Sequence, residues 1–292
     1  MNKSVLPQDE YDTTKLDILA EVPENDFRKA VPELFRWTED SEYAIYPFVN
    51  DLLAYRQTGA VDEIRKVFRT DNAKWQKNLL SDLIVRLNKE NKEKLKTLIE
   101  DARKRSLKEE SELCYQYCFE GKPLIRTACR YDCPVLAETK LKVWNETFID
   151  IYPKERFINY SMAEQTEYFL NIVNDPNQSF YVLEIDGQCA GYMCCGTPFT
   201  PYLHYQQCIN LLNLLKISQG KGLGRKMFEL AENIIRFRGY DEFFLMCNKY
   251  NYPAQKFYEH MGGIKMFVDE DDENRSKPQI RYHFSINKEE NK

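Results

Sequence analysis

Between Leu212 and Tyr258 the chain runs strand-like apolar segment, glycine-rich turn, amphipathic helix, apolar segment, helix, an order that few folds accommodate. The run Leu211-Leu212-Asn213-Leu214-Leu215 has the length of a buried strand and leads directly into Gln219-Gly220-Lys221-Gly222-Leu223-Gly224. From Arg225 to Arg238, Met227, Leu230, Ala231, Ile234 and Ile235 recur at helical spacing, and Gly239 follows where a left-handed residue ends a helix cheaply. A second strand is expected over Glu242 to Cys247, and a second helix from about Ala254 to His260. Glycines between a strand and a helix let the backbone approach a pyrophosphate, while free N–H groups and the positive helix end face its charge. The stretch therefore predicts a site for a phosphorylated cofactor.

Two phosphate-binding patterns do not fit it. A Walker loop needs Gly-Lys followed by Ser or Thr, whereas Gly224 is followed by Arg225-Lys226. A dinucleotide fold needs Gly-x-Gly-x-x-Gly near the start of a long parallel sheet, but here the turn is Gly-x-Gly-x-Gly and lies late in the chain. The residues resemble motif A of the GNAT superfamily of N-acetyltransferases, whose signature Gln/Arg-x-x-Gly-x-Gly/Ala is met by Gln219, Gly222 and Gly224. The next landmark of that family, Asn-x-x-Ala-x-x-Phe/Leu-Tyr before a Gly, is present as Asn251-Tyr252-Pro253-Ala254-Gln255-Lys256-Phe257-Tyr258, followed by Gly262-Gly263. The resemblance spans about Lys122 to Asn287 and implies an α+β (mixed α/β) fold, a central, mostly antiparallel, splayed sheet flanked by helices.

The length of 292 residues favours two domains, expected at 1–120 and 121–292. Residues 1–120 read as an all-helical domain: Val31–Asp40, Glu42–Arg56, Val61–Arg69, Ala73–Leu87 and Lys92–Ser106 carry apolar residues at three- and four-residue steps. A short helix then a long one recurs after about thirty residues, which suggests stacked helix pairs of a repeat-like kind, with Trp37 and Trp75 packed inside. The stretch also resembles a small bacterial all-helical domain of unknown function, through Trp37-Thr38-Glu39-Asp40 and Asp71-Asn72-Ala73-Lys74-Trp75. That implies a fold and a docking surface for a protein partner. The charged run Asn88–Glu110 is expected to be a solvated linking helix, supported by pairs such as Glu90 with Lys94.

In the second domain, Leu124–Cys129 suits a strand and Pro134–Ile149 an amphipathic helix. Phe180–Ile185 and Gln188–Cys195 form a hairpin about Asp186-Gly187, which suits a type I′ turn, and Gly196–His204 is a loop. Ile264–Val268 and Ile280–Ile286 close the sheet, with the acidic Asp269–Glu273 as a turn between them. Residues 144–148, Trp144-Asn145-Glu146-Thr147-Phe148, then Pro153, resemble a Trp-x-x-Thr-Tyr pattern of one GNAT subgroup, with Phe148 for Tyr. No apolar leader or membrane-length segment is visible, and a cytoplasmic protein without membrane contact is expected. The net charge of −5 argues against nucleic acid. Nine cysteines without a secretion signal read as reduced thiols, and the Cys-x3-Cys pairs Cys114/Cys118 and Cys129/Cys133 are spaced too loosely to predict a metal.

What the resemblance implies chemically is acetyl transfer from acetyl-CoA, a cosubstrate, to the amine of a small molecule or protein. Leu212, Asn213, Leu214, Gln219, Gly220, Lys221, Gly222, Leu223, Gly224 and Asn251 would hold the cofactor, with Asn251 on the pantetheine arm or the neighbouring loop. The backbone N–H of Leu214 would meet the developing oxyanion. Tyr258 would protonate the departing thiolate, or cap the sulfur by hydrogen bonding. Arg225 and Lys226 either add charge near the pyrophosphate or are solvated helix residues. Many family members carry a Glu eleven residues before the Gln of motif A; Cys208 stands there, so the base falls to Glu146, His204 or Tyr205, with Glu146 ahead. The alternative is a non-catalytic acyl-CoA-binding module that works through its helical half.

Overall fold

The computed structural model of the chain describes residues 5–104, 107–268 and 277–286. It divides into two compact units, residues 1–123 with 185–187, and residues 124–184 with 188–292.

The first unit is helical among its described residues: α1 (Thr14–Glu21), α2 (Glu24–Arg36), α3 (Tyr46–Arg56), α4 (Ala60–Val67), α5 (Ala73–Asn78), α6 (Lys89–Ala102) and α7 (Lys108–Phe119). Helix α2 buries Phe27, Ala30, Val31, Leu34 and Phe35, the i, i+3, i+4, i+7 stripe of a core-facing helix. It starts seven residues before the expected Val31 because Pro32 is tolerated inside it, and α1 precedes it. The long helix expected over Ala73–Leu87 is broken: after α5 the chain widens into one π turn, Leu79–Leu83, then tightens into a 3-10 turn, Ile84–Arg86. Leu79, Leu80, Leu83, Ile84 and Val85 are all buried, and a uniform α-helix would aim some of them at solvent. Helix lengths of 13, 11, 8 and 6 residues for α2 to α5 do not repeat the expected short-long order. Trp37 and Trp75 are half-buried rather than enclosed, and Trp75 Nε1 donates to the buried Thr38 hydroxyl at 2.8 Å.

The charged run is not a solvated linker. Lys92, Leu95, Ile99 and Ala102 of α6 are buried, and the run ends in α7, whose Ser111 and Cys114 are buried. The expected Glu90–Lys94 pair is present at 2.6 Å, on the solvent side.

The second unit holds a seven-stranded sheet: β1 (Leu124–Thr127), β2 (Gln178–Ile185), β3 (Gln188–Gly196), β4 (Cys208–Leu214), β5 (Glu242–Asn248), β6 (Ile264–Val268) and β7 (Gln279–Ser285), in the order β1-β2-β3-β4-β5-β7-β6. The β4–β5 pair is parallel; β1–β2, β3–β4, β5–β7 and β6–β7 are antiparallel. Its helices are α8 (Cys133–Thr147), α9 (Lys154–Ile158), α10 (Met162–Val173), α11 (Leu223–Phe237) and α12 (Tyr252–His260). Asp186 (φ 52°) and Gly187 (φ 73°) are both left-handed, as a type I′ hairpin turn requires. One core, Leu136, Ala137, Phe169, Phe180 and Tyr192 among others, joins α8 and α10 to β2 and β3. On α11, Phe228 is the centre of a ring cluster with Phe243, Phe257 and Phe284. Helix α11 ends at Gly239 (φ 87°), with the Tyr240 N–H bonded back to Ile235 O at 3.2 Å. The acidic stretch 269–273 lies outside the described residues.

Candidate functional site

The site begins with a defect in the sheet. Strand β4 pairs with β3 along its length, to Leu214 opposite Gly191, but with β5 only at Cys208–Phe244 and Ile209–Leu245. A register shift between Cys194 and Cys195, facing Asn210, kinks β4 at the point where it leaves β5. Beyond it the β5 side of β4 has no strand partner. Leu215 N–H donates to Ala190 O on β3 at 2.9 Å, and amides alternate sides along a strand, so the Leu214 N–H is turned towards the parted side.

The glycine turn closes one end of this cleft. Gly220 (φ 70°) and Gly222 (φ 75°) are left-handed, and a Cβ added to either would meet no atom within 4 Å. Gly222 is the N-cap of α11, which has no side-chain cap, so the first-turn amides retain their donor capacity towards a ligand. Leu223 and Gly224 belong to the helix, which starts two residues before the expected Arg225 because the last left-handed residue of the turn is Gly222. Gly224 is needed for packing: a Cβ there would lie 3.2 Å from Leu214 Cδ1 and 3.6 Å from the Phe257 ring. The end of β4, the start of α11 and α12 thus meet at one glycine. Gln219 Nε2 donates to Leu214 O at 2.9 Å, tying the turn to the strand end. Lys221 is exposed.

Asn251 caps α12, its Oδ1 accepting from Ala254 N at 3.3 Å, and thereby sets the helix that carries Tyr258. Tyr258 is 7% exposed, and its hydroxyl makes no hydrogen bond among the described residues. Burial holds the phenol well above its ordinary pKa, with the Cys247 and Cys208 thiols and Tyr282 adding to the shift. The hydroxyl is therefore held neutral, able to donate a hydrogen bond.

Of the candidates for proton removal, the structure brings one to the cleft. Glu146, half-buried near the end of α8, accepts the Lys216 N–H at 2.8 Å through one carboxyl oxygen, two residues past Leu214. His204 pairs with Glu242 at 2.9 Å, beside the first residue of β5 and away from the parted end. Tyr205 is spent on His283 Nδ1, 2.8 Å away, and stacks on Tyr202. Both lie where loop 197–207 folds over the strand starts, a placement that sequence adjacency cannot foretell. Cys208 is 1% exposed and burial pushes its thiol far up, which excludes a base. Arg225 is tied to His260 (2.9 Å) and lies 3.8 Å from Glu229, while Lys226 is exposed.

Sequence reasoning missed an aromatic cluster beside this cleft. Trp144 of α8 makes edge contacts with Tyr152, Phe157 and Tyr160, and Phe148 stacks on Tyr152 at 4.5 Å. Arg156 lies over Trp144 and Tyr152, and Lys140 over Trp144 and Tyr168. Two basic residues four and twelve positions from Trp144 were the available signal. Among the described residues no group of three or more His, Cys, Asp or Glu could hold a metal, and no helix is long and apolar enough to cross a membrane.

Residues 144–263 match the model of the acetyltransferase (GNAT) family, and residues 5–115 match DUF5071, a domain of unknown function. No curated protein matches the chain. Solved structures with a similar fold include the PaiA N-acetyltransferase of Thermoplasma acidophilum in complex with coenzyme A (19% identity, 56% of this chain and 99% of that one, TM-score 0.46). An N-acetyltransferase of Staphylococcus aureus Mu50 is similar at 16% identity over 57% of this chain and 99% of its own, with a TM-score of 0.45. Residues 144–263 of the second unit thus form a GNAT acetyltransferase domain. The chain joins that domain to an N-terminal DUF5071 domain.

Proposed function

We propose that the protein transfers an acetyl group from acetyl-CoA to a primary amine of a small molecule or protein, by direct attack within a ternary complex. The observation that carries this reading is the parting of β4 from β5 after Ile209 and Leu245, which leaves the Leu214 N–H without a strand partner beside the glycine turn. The residues fit the cofactor: the uncapped start of α11 on two left-handed glycines offers amides to a pyrophosphate, and no Cβ obstructs the approach.

Acetyl-CoA supplies the activated acetyl thioester. The Leu214 N–H stabilises the carbonyl oxygen as it gains charge, and costs no reorganisation because β3 fixes the strand. Glu146, with one oxygen on Lys216, offers the other, directly or through water, to the proton that the ammonium must lose before it attacks. Tyr258 gives its proton to the departing sulfur as the carbon–sulfur bond breaks. Gln219 and Asn251 act by position, one bracing the turn and one capping α12.

The test is thiol release from acetyl-CoA by the full chain, with and without a panel of primary amines. Release that depends on an amine supports the reading; CoA binding without release for any amine would instead favour a non-catalytic acyl-CoA-binding module.

A further inference from the structure

Lys140 and Arg156 form a pair of cations without a counter-ion. Lys140 Nζ sits 5.4 Å from the Trp144 ring centre and 4.3 Å from that of Tyr168, and donates to Gln165 Oε1 at 2.6 Å. The Arg156 guanidinium lies 5.0 Å from the Trp144 ring and 4.5 Å from that of Tyr152. Among the described residues no carboxylate pairs with either. The two charges act on each other: burial, with Arg156 adding to it, lowers the Lys140 amine to about 8. Two like charges held over one Trp144 ring cost free energy that an anion between them would recover. A guanidinium lying on ring faces keeps its N–H edge for a planar, two-oxygen acceptor.

Lys140 shares a helix with the candidate base: Lys140, Trp144 and Glu146 all lie on α8, and Glu146 accepts the Lys216 N–H just past β4. Tyr152, under Arg156, is half-buried, and burial holds its hydroxyl above the ordinary value. The aromatic walls bring Phe148 and Phe157 to the same place.

Resting on the acetyltransferase reading above, we propose that the acceptor is an amino carboxylic acid, whose carboxylate is held by Arg156 and Lys140 and whose apolar side chain packs against Trp144 and Tyr152. A polyamine or other cationic amine, which the acidic chain as a whole would attract, is disfavoured at this subsite by the local cations.

The experiment titrates the full-length protein, with and without CoA, against matched pairs that differ only in the carboxylate: L-phenylalanine with 2-phenylethylamine, L-tyrosine with tyramine, and L-methionine with 3-(methylthio)propylamine. The acid of at least one pair is expected to bind tenfold or more tightly than its amine. Arg156→Gln should erase that preference, and Arg156→Lys should restore part of it. In turnover, Arg156→Gln should raise KM for the acid at least tenfold while kcat stays within about threefold. The proposal is overturned if no acid binds, if each amine binds as well as its acid, or if Arg156→Gln leaves the ratio unchanged. CoA affinity measured on the same samples reports separately on the acetyltransferase reading, which fails if CoA does not bind.

Discussion

Glu146 reaches from α8 to the amide of Lys216, and that hydrogen bond separates what its substitutions should do. Gln keeps an acceptor for the amide but cannot take a proton, so Glu146→Gln should leave CoA affinity unchanged and remove the acidic limb from the pH profile of kcat/KM. His204→Gln, at the far end of the strands, should leave the profile as it is. An unchanged profile in both would mean that the amine arrives neutral and water accepts its proton. Lys140 allows a stability test independent of catalysis. Its folded pKa, about 8, lies below the unfolded value of 10.5, so between these pH values the unfolded chain binds the proton more readily and stability rises with pH. Lys140→Met removes the buried ammonium. At pH 7 it should raise the urea unfolding free energy by about 1 kcal/mol, after partial solvent screening, and the gain should vanish by about pH 10.5. A gain that did not shrink with pH would contradict this origin.

The glycine turn is the element on which the site depends, and its glycines do different work. Gly222 is needed for its left-handed backbone, since the space around it is open; a side chain there costs about 1–2 kcal/mol of local strain and distorts the amides. Gly224 is needed for contact with Leu214 and Phe257. Gly222→Val and Gly224→Val should each weaken CoA binding at least tenfold by calorimetry, and the second should also lower thermal stability because α11 is pushed off β4. Unchanged CoA affinity in Gly222→Val would remove the pyrophosphate from this turn. This element was legible in the sequence because each of its parts is local: glycine spacing, helical periodicity and a strand-length apolar run lie within fifty residues. The parting of β4 and β5 was not, because strand divergence depends on a kink at Asn210 and on which strand β5 chooses. The aromatic cluster was equally hidden, since Lys140, Trp144, Tyr152, Arg156 and Tyr168 converge from three helices and a loop. In the first unit, periodicity found the amphipathic helices but not the π turn at Leu79–Leu83, where burial of consecutive apolar residues overrides regular winding.

At the scale of the molecule, the residues proposed for chemistry all lie in the second unit, between Lys140 and Tyr258. A polypeptide covering residues 122–292 should therefore bind CoA with an affinity within about threefold of the full chain. A folded polypeptide of this length that fails to bind CoA would assign the DUF5071 domain a part in the site. Its expected role is to engage a protein partner, because no group of candidate catalytic residues stands out within it. We propose that the acetyl transfer depends on the Tyr258 hydroxyl as the proton donor to the leaving thiolate. The most direct measurement is amine-dependent thiol release from acetyl-CoA by the wild type and by Tyr258→Phe, with CoA affinity determined for both. Removal of the hydroxyl alone should lower kcat by roughly ten- to a thousandfold and leave the CoA Kd within about twofold. Equal turnover in Tyr258→Phe would contradict the account, because the leaving group would then take its proton from elsewhere.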